Sequence, residues 1–179
     1  MQKIMIIDFE SSGLMRGSFP IEVAWASESL QLSSYLIRPT EIWLDDSRLW
    51  DPAAESLHGI SLEELFHHGK RVNEVATALL QDLQDARVYS NNPLYDQDWL
   101  HRLLCAANCD QPFKICDVNN LLAEITDIEG INFAYHIANE ITPPNHRASQ
   151  DVLNLWEVYR QCHQFVAASV AASKSRYKR

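Results

Sequence analysis

A short apolar run that ends in two acids, KIMIIDFE, constrains the fold of this chain more than any other segment. The apolar and β-branched residues from Lys3 to Phe9 predict a buried strand. Because side chains alternate along a strand, Asp8 and Glu10 share one face and Phe9 points to the other. Two neighbouring carboxylates at the end of a buried strand destabilise the fold by desolvation and mutual repulsion, unless a bound cation or a proton offsets their charge. If the strand ends at Ile7 instead, both acids are solvated, and this segment alone does not decide between the two interpretations.

The composition favours one globular domain. The chain has 179 residues, of which 46% are hydrophobic and 22% are charged, and no repeat or linker divides it. We predict a single domain over 1–173 and a basic, disordered tail over 174–179. No apolar stretch is long enough to span a bilayer and no signal segment is evident, so we expect a cytoplasmic protein without membrane contact. The four cysteines form no CxxC pair, so buried, reduced thiols and no zinc site are expected.

Charge is unevenly distributed along the chain. The formal net charge is −9, but four cations lie in the tail, at Lys174, Arg176, Lys178 and Arg179. The remaining body holds 11 basic and 24 acidic residues, a charge of −13. Such a body repels polyphosphate and excludes a broad basic footprint for long nucleic acid. Acidic side chains can nevertheless serve phosphate chemistry when they hold divalent cations.

Turn residues and hydrophobic periodicity predict three early strands and then alternating helices and strands. The strands are expected at Lys3 to Phe9, Ile21 to Ser27, Leu32 to Ile37, Arg87 to Ser90 and Phe113 to Cys116. Helices are expected to begin at Asp51-Pro52 and at the capping box Ser61-x-x-Glu64, and to cover Val72 to Leu83, Tyr95 to Ala107 and Arg147 to Ala172. Short connections favour antiparallel neighbours among the first strands. The pattern therefore predicts a mixed sheet with helices packed on it.

Two further segments hold candidate functional side chains. Asp96 lies between a predicted strand and a predicted helix, where a capping residue is the ordinary alternative. His146 and Asp151 lie at the start of the last helix and would be separated by about 140° on an ideal helix. They can share a site only if the prolines before them place His146 on an irregular lead-in. A surface histidine is the ordinary alternative for His146 alone.

The segments DFESSGL (8–14), NPLYDQDWL (92–100) and HRASQD (146–151) resemble, in order and spacing, the three motifs of the DEDDh 3′ to 5′ exonucleases. This superfamily includes RNase T, oligoribonuclease and the proofreading subunit of bacterial replicative polymerases. The segment LHGIS (57–61) is similar to one that many members carry between the first two motifs. The resemblance extends from residue 3 to about residue 160. It implies the ribonuclease H-like α/β exonuclease fold, with a mixed five-stranded sheet flanked by helices.

The resemblance also implies a role for each matched residue. Two Mg²⁺ or Mn²⁺ ions would be held by the four carboxylates Asp8, Glu10, Asp96 and Asp151, and His146 would be the general base. Substrate contacts would come from Ser11, Ser12, Leu14, His58, Ile60 and Asn92. The chain departs from the family pattern at two usual threonines, which are Ser11 and Ser12, and at Asn91, Pro93 and Tyr95 in the second motif. None of these departures removes a metal ligand, but they leave substrate choice open.

The predicted function is metal-dependent 3′ to 5′ hydrolysis of single-stranded RNA or DNA, or of short oligonucleotides, with release of nucleoside 5′-monophosphates. Two alternatives are a catalytically inactive nucleic-acid-binding or scaffold module of the same fold and a phosphoesterase acting on small nucleotides. The sequence does not decide between RNA and DNA. Several relatives are dimers, so a homodimer also stays open, with Trp43 and Trp50, expected to be exposed, as candidate interface residues.

Overall fold

A five-stranded mixed sheet forms the centre of the molecule. The computed structural model describes residues 2–110 and 113–176, with side chains up to residue 171. The strands are β1 (Ile4–Ser11), β2 (Pro20–Ser27), β3 (Leu32–Leu36), β4 (Arg87–Ser90) and β5 (Ile115–Asp117). Their order in the sheet is β3-β2-β1-β4-β5. The central strand β1 is antiparallel to β2 and parallel to β4, and β4 is parallel to β5.

Helices cover both faces of this sheet. They are α1 (Glu41–Leu44), α2 (Pro52–His58), α3 (Leu62–His68), α4 (Val72–Leu83), α5 (Pro93–Ala106), α6 (Val118–Ala123), α7 (Ile128–Ile141) and α8 (Ala148–Arg176). The two predicted capping residues act as expected, since the Asp51 side chain accepts from the Ala53 N–H and Ser61 Oγ accepts from the Glu64 N–H. Among the described residues, no helix is both long and apolar enough to cross a membrane.

Alternation along β1 divides the core into two layers. Met5, Ile7 and Phe9 are buried in one cluster with apolar side chains of α4 and α5. Ile6 is buried on the other face, in a cluster with side chains of α6, α7 and α8. Asp8 and Glu10 continue the face of Ile6, so the fold directs these two acids toward α8.

A third apolar cluster lies beneath the segment that joins β3 to α4. Phe19, Ile21, Ile60 and Leu65 form its buried centre. Trp43 and Trp50 pack against this cluster and contact the Phe19 ring, Trp43 in a stacked arrangement with the centroids 5.4 Å apart. The expectation that these two tryptophans are exposed is therefore wrong, because both rings are partly buried by Phe19.

The cysteines also differ from expectation. All four are free, but only Cys162 is buried, whereas Cys105 and Cys116 are exposed and Cys109 is half-buried. Cys105 lies on the outer side of α5, since Leu103 and Leu104 occupy the inner side. Cys116 follows the inward-facing Ile115 on the edge strand β5 and consequently points outward.

The ends of several elements also differ from the sequence prediction. Strand β5 is displaced toward Asp117 because its register with β4 pairs Val88 with Ile115 and Ser90 with Asp117. Helix α8 continues to Arg176, beyond the expected end at Ala172. Residues 177–179 of the expected tail lie outside the described residues, and the side chains of 174–176 are not described, so the tail stays a prediction.

Candidate active site

Three acids are brought together by the parallel pairing of β1 and β4. Parallel strands end at the same edge of a sheet, so the carboxyl end of β1, with Asp8 and Glu10, lies beside the end of β4. Helix α5 begins directly after β4 and carries Asp96 in its first turn. Open α/β sheets bind ligands at this kind of edge.

Helix α8 brings a fourth acid and a histidine to the same edge. The helix begins at Ala148, so His146 precedes it, and its backbone is left-handed with φ 58°. The Asn145 N–H donates to Asp151 Oδ1 at 3.0 Å, which folds the lead-in back over the first turn. Glu10, His146 and Asp151 consequently present ligand atoms that all lie within 4.8 Å of one another. The prediction that His146 occupies an irregular lead-in is confirmed.

Burial and mutual repulsion disfavour the charged forms of these acids. Asp8 is 8% exposed and Asp96 is 1% exposed. Burial raises the pKa of Asp96 to about 7, and it raises the pKa of Asp8 well above its usual range, with Asp96 and Glu10 adding to the effect. Burial, followed by the charges of Asp151 and Glu22, raises the pKa of Glu10 to about 8. Burial also raises the pKa of Asp151.

This group of acids matches the requirements of a divalent cation. Asp96 Oδ2 is buried and accepts no hydrogen bond, so one carboxylate oxygen of the group has no partner among the described residues. Every carboxylate in the cluster offers hard oxygen atoms, which Mg²⁺ and Mn²⁺ prefer, and one imidazole stands next to them. A bound cation would offset the repulsion that otherwise raises the pKa values.

A fifth carboxylate and an arginine were not identified as site residues from the sequence. Glu22 pairs with Glu10 across the β1–β2 ladder and is almost completely buried. It accepts from Arg147 Nε at 3.1 Å, from Arg147 Nη2 at 2.9 Å and from the Ala148 N–H at 2.9 Å. This clasp fixes the start of α8 against β2 immediately after His146. The available signal was the position of Glu22 as the lone acid in a strand that is otherwise apolar up to its last residue, Ser27.

The turn after Glu10 is more strongly tied internally than the sequence suggested. Ser11 Oγ donates to the Gly13 carbonyl, and Ser12 Oγ accepts from the Phe19 N–H. The Ser12 N–H donates to the Phe19 carbonyl. These two hydroxyls and the Ser12 N–H therefore close the turn. A direct substrate contact by Ser11 or Ser12 stays a prediction.

The other predicted substrate residues differ in accessibility. Leu14 is 70% exposed and Asn92 is exposed at the start of α5. Ile60 is fully buried in the third apolar cluster, so the structure does not present it to a ligand. His58 is also buried; its Nδ1 accepts from the Ile60 N–H, its Nε2 has no hydrogen-bond partner among the described residues, and burial lowers its pKa. The contacts predicted for all four residues stay predictions.

A cavity elsewhere in the molecule does not contain the acid cluster. It measures about 630 Å³, and its lining combines Leu30, Leu153, Trp156 and Tyr159 with the polar or charged Glu28, Thr142, Glu157, Arg160 and His163. None of the four clustered acids lines it. We therefore place the candidate active site at the sheet edge and not in this cavity.

Comparison with known proteins finds similarity in structure. No protein-family model and no curated protein sequence matches the chain. Escherichia coli Exonuclease I in complex with a dT13 oligonucleotide matches with a TM-score of 0.67 and 15% identity, over 87% of this chain and 40% of that chain. The zinc-bound form of the E. coli Exonuclease I complex with single-stranded DNA matches with a TM-score of 0.69 and 15% identity, over 94% of this chain and 43% of that chain. Exonuclease I from Methylocaldum szegediense matches with a TM-score of 0.66 and 17% identity, also over 94% of this chain and 43% of that chain.

The chain has the ribonuclease H-like exonuclease fold. The mixed five-stranded sheet flanked by helices confirms the fold that the three motifs predicted. Because the identities do not exceed 17% in these three comparisons, the likeness concerns the fold alone. The chain spans about two fifths of the length of these proteins.

Proposed function

We propose that this protein is a divalent-metal-dependent 3′ to 5′ exonuclease acting on single-stranded nucleic acid. The observation that carries the proposal is the convergence of Asp8, Glu10, Asp96, Asp151 and His146 at one sheet edge, from three separate segments of the chain. The fold supports it, because the similar Exonuclease I structures were solved with single-stranded oligonucleotides bound. The products would be nucleoside 5′-monophosphates.

The four carboxylates Asp8, Glu10, Asp96 and Asp151 would hold two Mg²⁺ or Mn²⁺ ions. When bound, such a pair of ions supplies charge stabilisation for an in-line displacement at a phosphodiester. The fit rests on the unpartnered, buried Asp96 Oδ2 and on the oxygen-rich donor set. The identity and number of the ions belong to the proposal.

His146 would accept the proton of the attacking water. An imidazole suits this step because its ordinary pKa lies close to neutral pH. Its exposed position on the left-handed lead-in lets it approach a substrate from the solvent side of the acids. The clasp between Glu22 and Arg147 would hold this lead-in in place from the neighbouring residue.

Single-stranded DNA is the first substrate to test, because the Exonuclease I structures contain it. A 5′-labelled DNA strand and a matched RNA strand are incubated with the protein and Mn²⁺, and the fragments are separated by length. We expect a ladder of progressively shorter labelled fragments, inhibition by EDTA, and resistance of a strand that ends in a 3′-phosphate. The variant Asp8→Ala should release no nucleotide while its far-UV circular dichroism remains that of the native protein.

Other outcomes would identify a different function. Early release of the labelled 5′ nucleotide would contradict the proposed polarity. Hydrolysis of a small chromogenic phosphodiester without action on any oligonucleotide would favour a small-molecule phosphoesterase. Oligonucleotide binding without hydrolysis under any metal condition would favour an inactive binding module.

A further inference from the structure

The cavity of about 630 Å³ lies away from the acid cluster and has no role in the function described so far. It is formed between the turn that joins β2 to β3 and the middle of α8. Strand β2 places Glu22 beside Glu10. The strand ends at Ser27, which pairs with Met5 near the start of β1, so the cavity is at the end of β2 that is remote from the acids. Its volume lies within the range of about 300–1,000 Å³ that is typical of small-molecule sites.

The helix side of the cavity is aromatic and firmly anchored. Trp156 is almost completely buried, and its indole Nε1–H donates to the Ala26 carbonyl of β2 at 3.1 Å. The half-buried Tyr159 ring contacts the Trp156 and His163 rings edge-on, with centroids 5.3 Å and 4.8 Å apart. Because these three residues are spaced by three and four positions, successive turns of α8 place them on one face. The rings form a surface that can contact a flat or cationic group.

The turn side of the cavity holds an apolar side chain on an unfavourable backbone. Leu30 is 55% exposed and has φ 57°, a left-handed conformation that is rare for a bulky residue. The Leu30 N–H donates to the Ser27 carbonyl at 2.8 Å, which closes the turn and fixes this position. Leu153 of α8 adds a second aliphatic side chain to the lining. Backbone strain of this kind concentrates at sites that hold ligands, and the aliphatic pair suits the alkyl stem of one.

The charge of the cavity favours a cation over a phosphate. Glu157 accepts from Arg160 Nε at 2.9 Å, and the two charges offset each other. Glu28 is exposed, and its carboxylate forms no ion pair or hydrogen bond within the described part of the chain. Burial, followed by the negative charges of Glu28 and Glu124, raises the pKa of Tyr159. Glu28 is therefore an uncompensated carboxylate next to the aromatic surface.

We propose that this cavity is a second binding site, for a small organic cation that carries a guanidinium group on a short alkyl stem. The planar guanidinium stacks on Tyr159 and pairs with the Glu28 carboxylate, since this group combines stacking on aromatic rings with bidentate binding of carboxylates. The stem packs on Leu30 and Leu153. The site does not depend on the proposed exonuclease function, because it shares no residue with the acid cluster.

The test compares n-butylguanidinium with n-butylurea, a neutral molecule of nearly the same shape. Binding is followed at low salt from the nitrogen–proton NMR signal of the Trp156 indole N–H, which the variant Trp156→Phe assigns. An exposed ion pair and an exposed cation–π contact together correspond to about 3- to 30-fold tighter binding of the cation. We call this ratio of affinities the cation preference.

Three variants test the named contacts. Glu28→Gln should lower the cation preference by about 1.5- to 5-fold, and Tyr159→Leu should lower it by about 2- to 5-fold. Arg160→Met should raise the cation preference by about 1.5- to 5-fold, because it releases the Glu157 carboxylate from its ion pair. Since Glu28 and Arg160 are exposed, their variants test the proposal even if Tyr159→Leu does not fold.

The matched controls are Glu129→Gln in α7 and Tyr95→Leu in α5, which lie outside the cavity and should leave the cation preference unchanged. Equal binding of the two probes, or no shift of the Trp156 signal with either, would overturn the proposal. A cation preference that Glu28→Gln and Tyr159→Leu both leave intact would overturn it as well. So would a shift of this signal by a nucleoside monophosphate but not by n-butylguanidinium.

Discussion

Replacing Glu10 by glutamine should stabilise the metal-free protein at alkaline pH, although it removes a proposed metal ligand. In the folded chain, burial and the nearby charges of Asp151 and Glu22 raise the pKa of Glu10 from its ordinary value of 4.5 to about 8. Above pH 8 the folded protein must hold this carboxylate in its charged form against that opposition. Glutamine has nearly the same shape and no charge, so the variant avoids the repulsion.

The size of the effect follows from proton linkage. A tenfold change in proton affinity corresponds to about 1.4 kcal/mol, so the pKa rise from 4.5 to about 8 sets a ceiling of about 5 kcal/mol. The wild type recovers part of this free energy when neighbouring carboxyl groups bind protons instead. We therefore expect Glu10→Gln to raise the free energy of unfolding by about 2–4 kcal/mol at pH 9. When folding raises the pKa of a carboxyl group, the folded state loses stability as the pH rises. The loss begins above the pKa of the unfolded state and is complete above the pKa of the folded state. At pH 5 the variant and the wild type should consequently differ by less than about 1 kcal/mol.

The assay is urea unfolding in EDTA at pH 5 and at pH 9, followed by circular dichroism, for the wild type and Glu10→Gln. Glu129→Gln is the matched control, since Glu129 is exposed at the far end of α7 from the loop that carries His146. Repeating the pH 9 experiment with Mn²⁺ should stabilise the wild type more than Glu10→Gln, because a ligand that binds the folded state stabilises it by mass action. A Glu10→Gln variant no more stable than the wild type at pH 9 in EDTA would refute the reasoning. A metal-free wild type that gains stability between pH 5 and pH 8 would do so as well.

Three further predictions concern the lead-in, the proposed base and the tail. Arg147→Ala leaves Glu22, whose side chain is 3% exposed, with the Ala148 N–H as its one remaining donor among the residues that the structure describes. The variant should lower the free energy of unfolding by about 2–4 kcal/mol in urea titrations, because breaking a buried pair is costly; the 35% exposure of Arg147 keeps the loss below that of a fully buried pair. A loss below about 1 kcal/mol would show an ordinary surface pair. His146→Ala should lower turnover by about 10²- to 10⁴-fold with Mn²⁺ affinity retained in calorimetry, and a loss of metal affinity would instead make His146 a ligand. Truncation after Ser173 should weaken binding of long single strands and flatten its salt dependence by about 0.7 per lost phosphate contact, with dinucleotide cleavage unchanged; equal salt slopes would leave the tail without a binding role.

The sheet could be predicted from local patterns, and the set of four acids from the order and spacing of the three motifs that resemble the DEDDh exonucleases. The alternation of KIMIIDFE placed Asp8 and Glu10 on one face, and the structure directs that face toward α8 as the pattern requires. The prolines before His146 predicted an irregular approach to α8, and the left-handed backbone at His146 is that irregularity. In each case a rule of strand or helix geometry acts over fewer than ten residues.

The features that escaped prediction depend on contacts between distant parts of the chain. The clasp joins Glu22 to Arg147 across 125 residues, and no local pattern indicates which arginine meets the lone acid of β2. The burial of Trp43 and Trp50 is decided by Phe19, which comes from the turn before β2. The hydroxyls of Ser11 and Ser12 could serve either a ligand or the turn itself, and only the folded loop shows that they serve the turn.

The proposed metal ligands come from distant parts of the chain, so metal binding depends on the assembly of those parts. A cut between α5 and β5 would leave Asp8, Glu10 and Asp96 on one piece and place His146 and Asp151 on the other. Neither piece holds all of the proposed metal ligands, so Mn²⁺ binding at the proposed site would require the two pieces to dock in the native arrangement. We therefore expect Mn²⁺ to promote the association of complementary fragments, with an association constant that rises with Mn²⁺ concentration. Such a pair of fragments would convert the presence of an ion into the joining of two polypeptides.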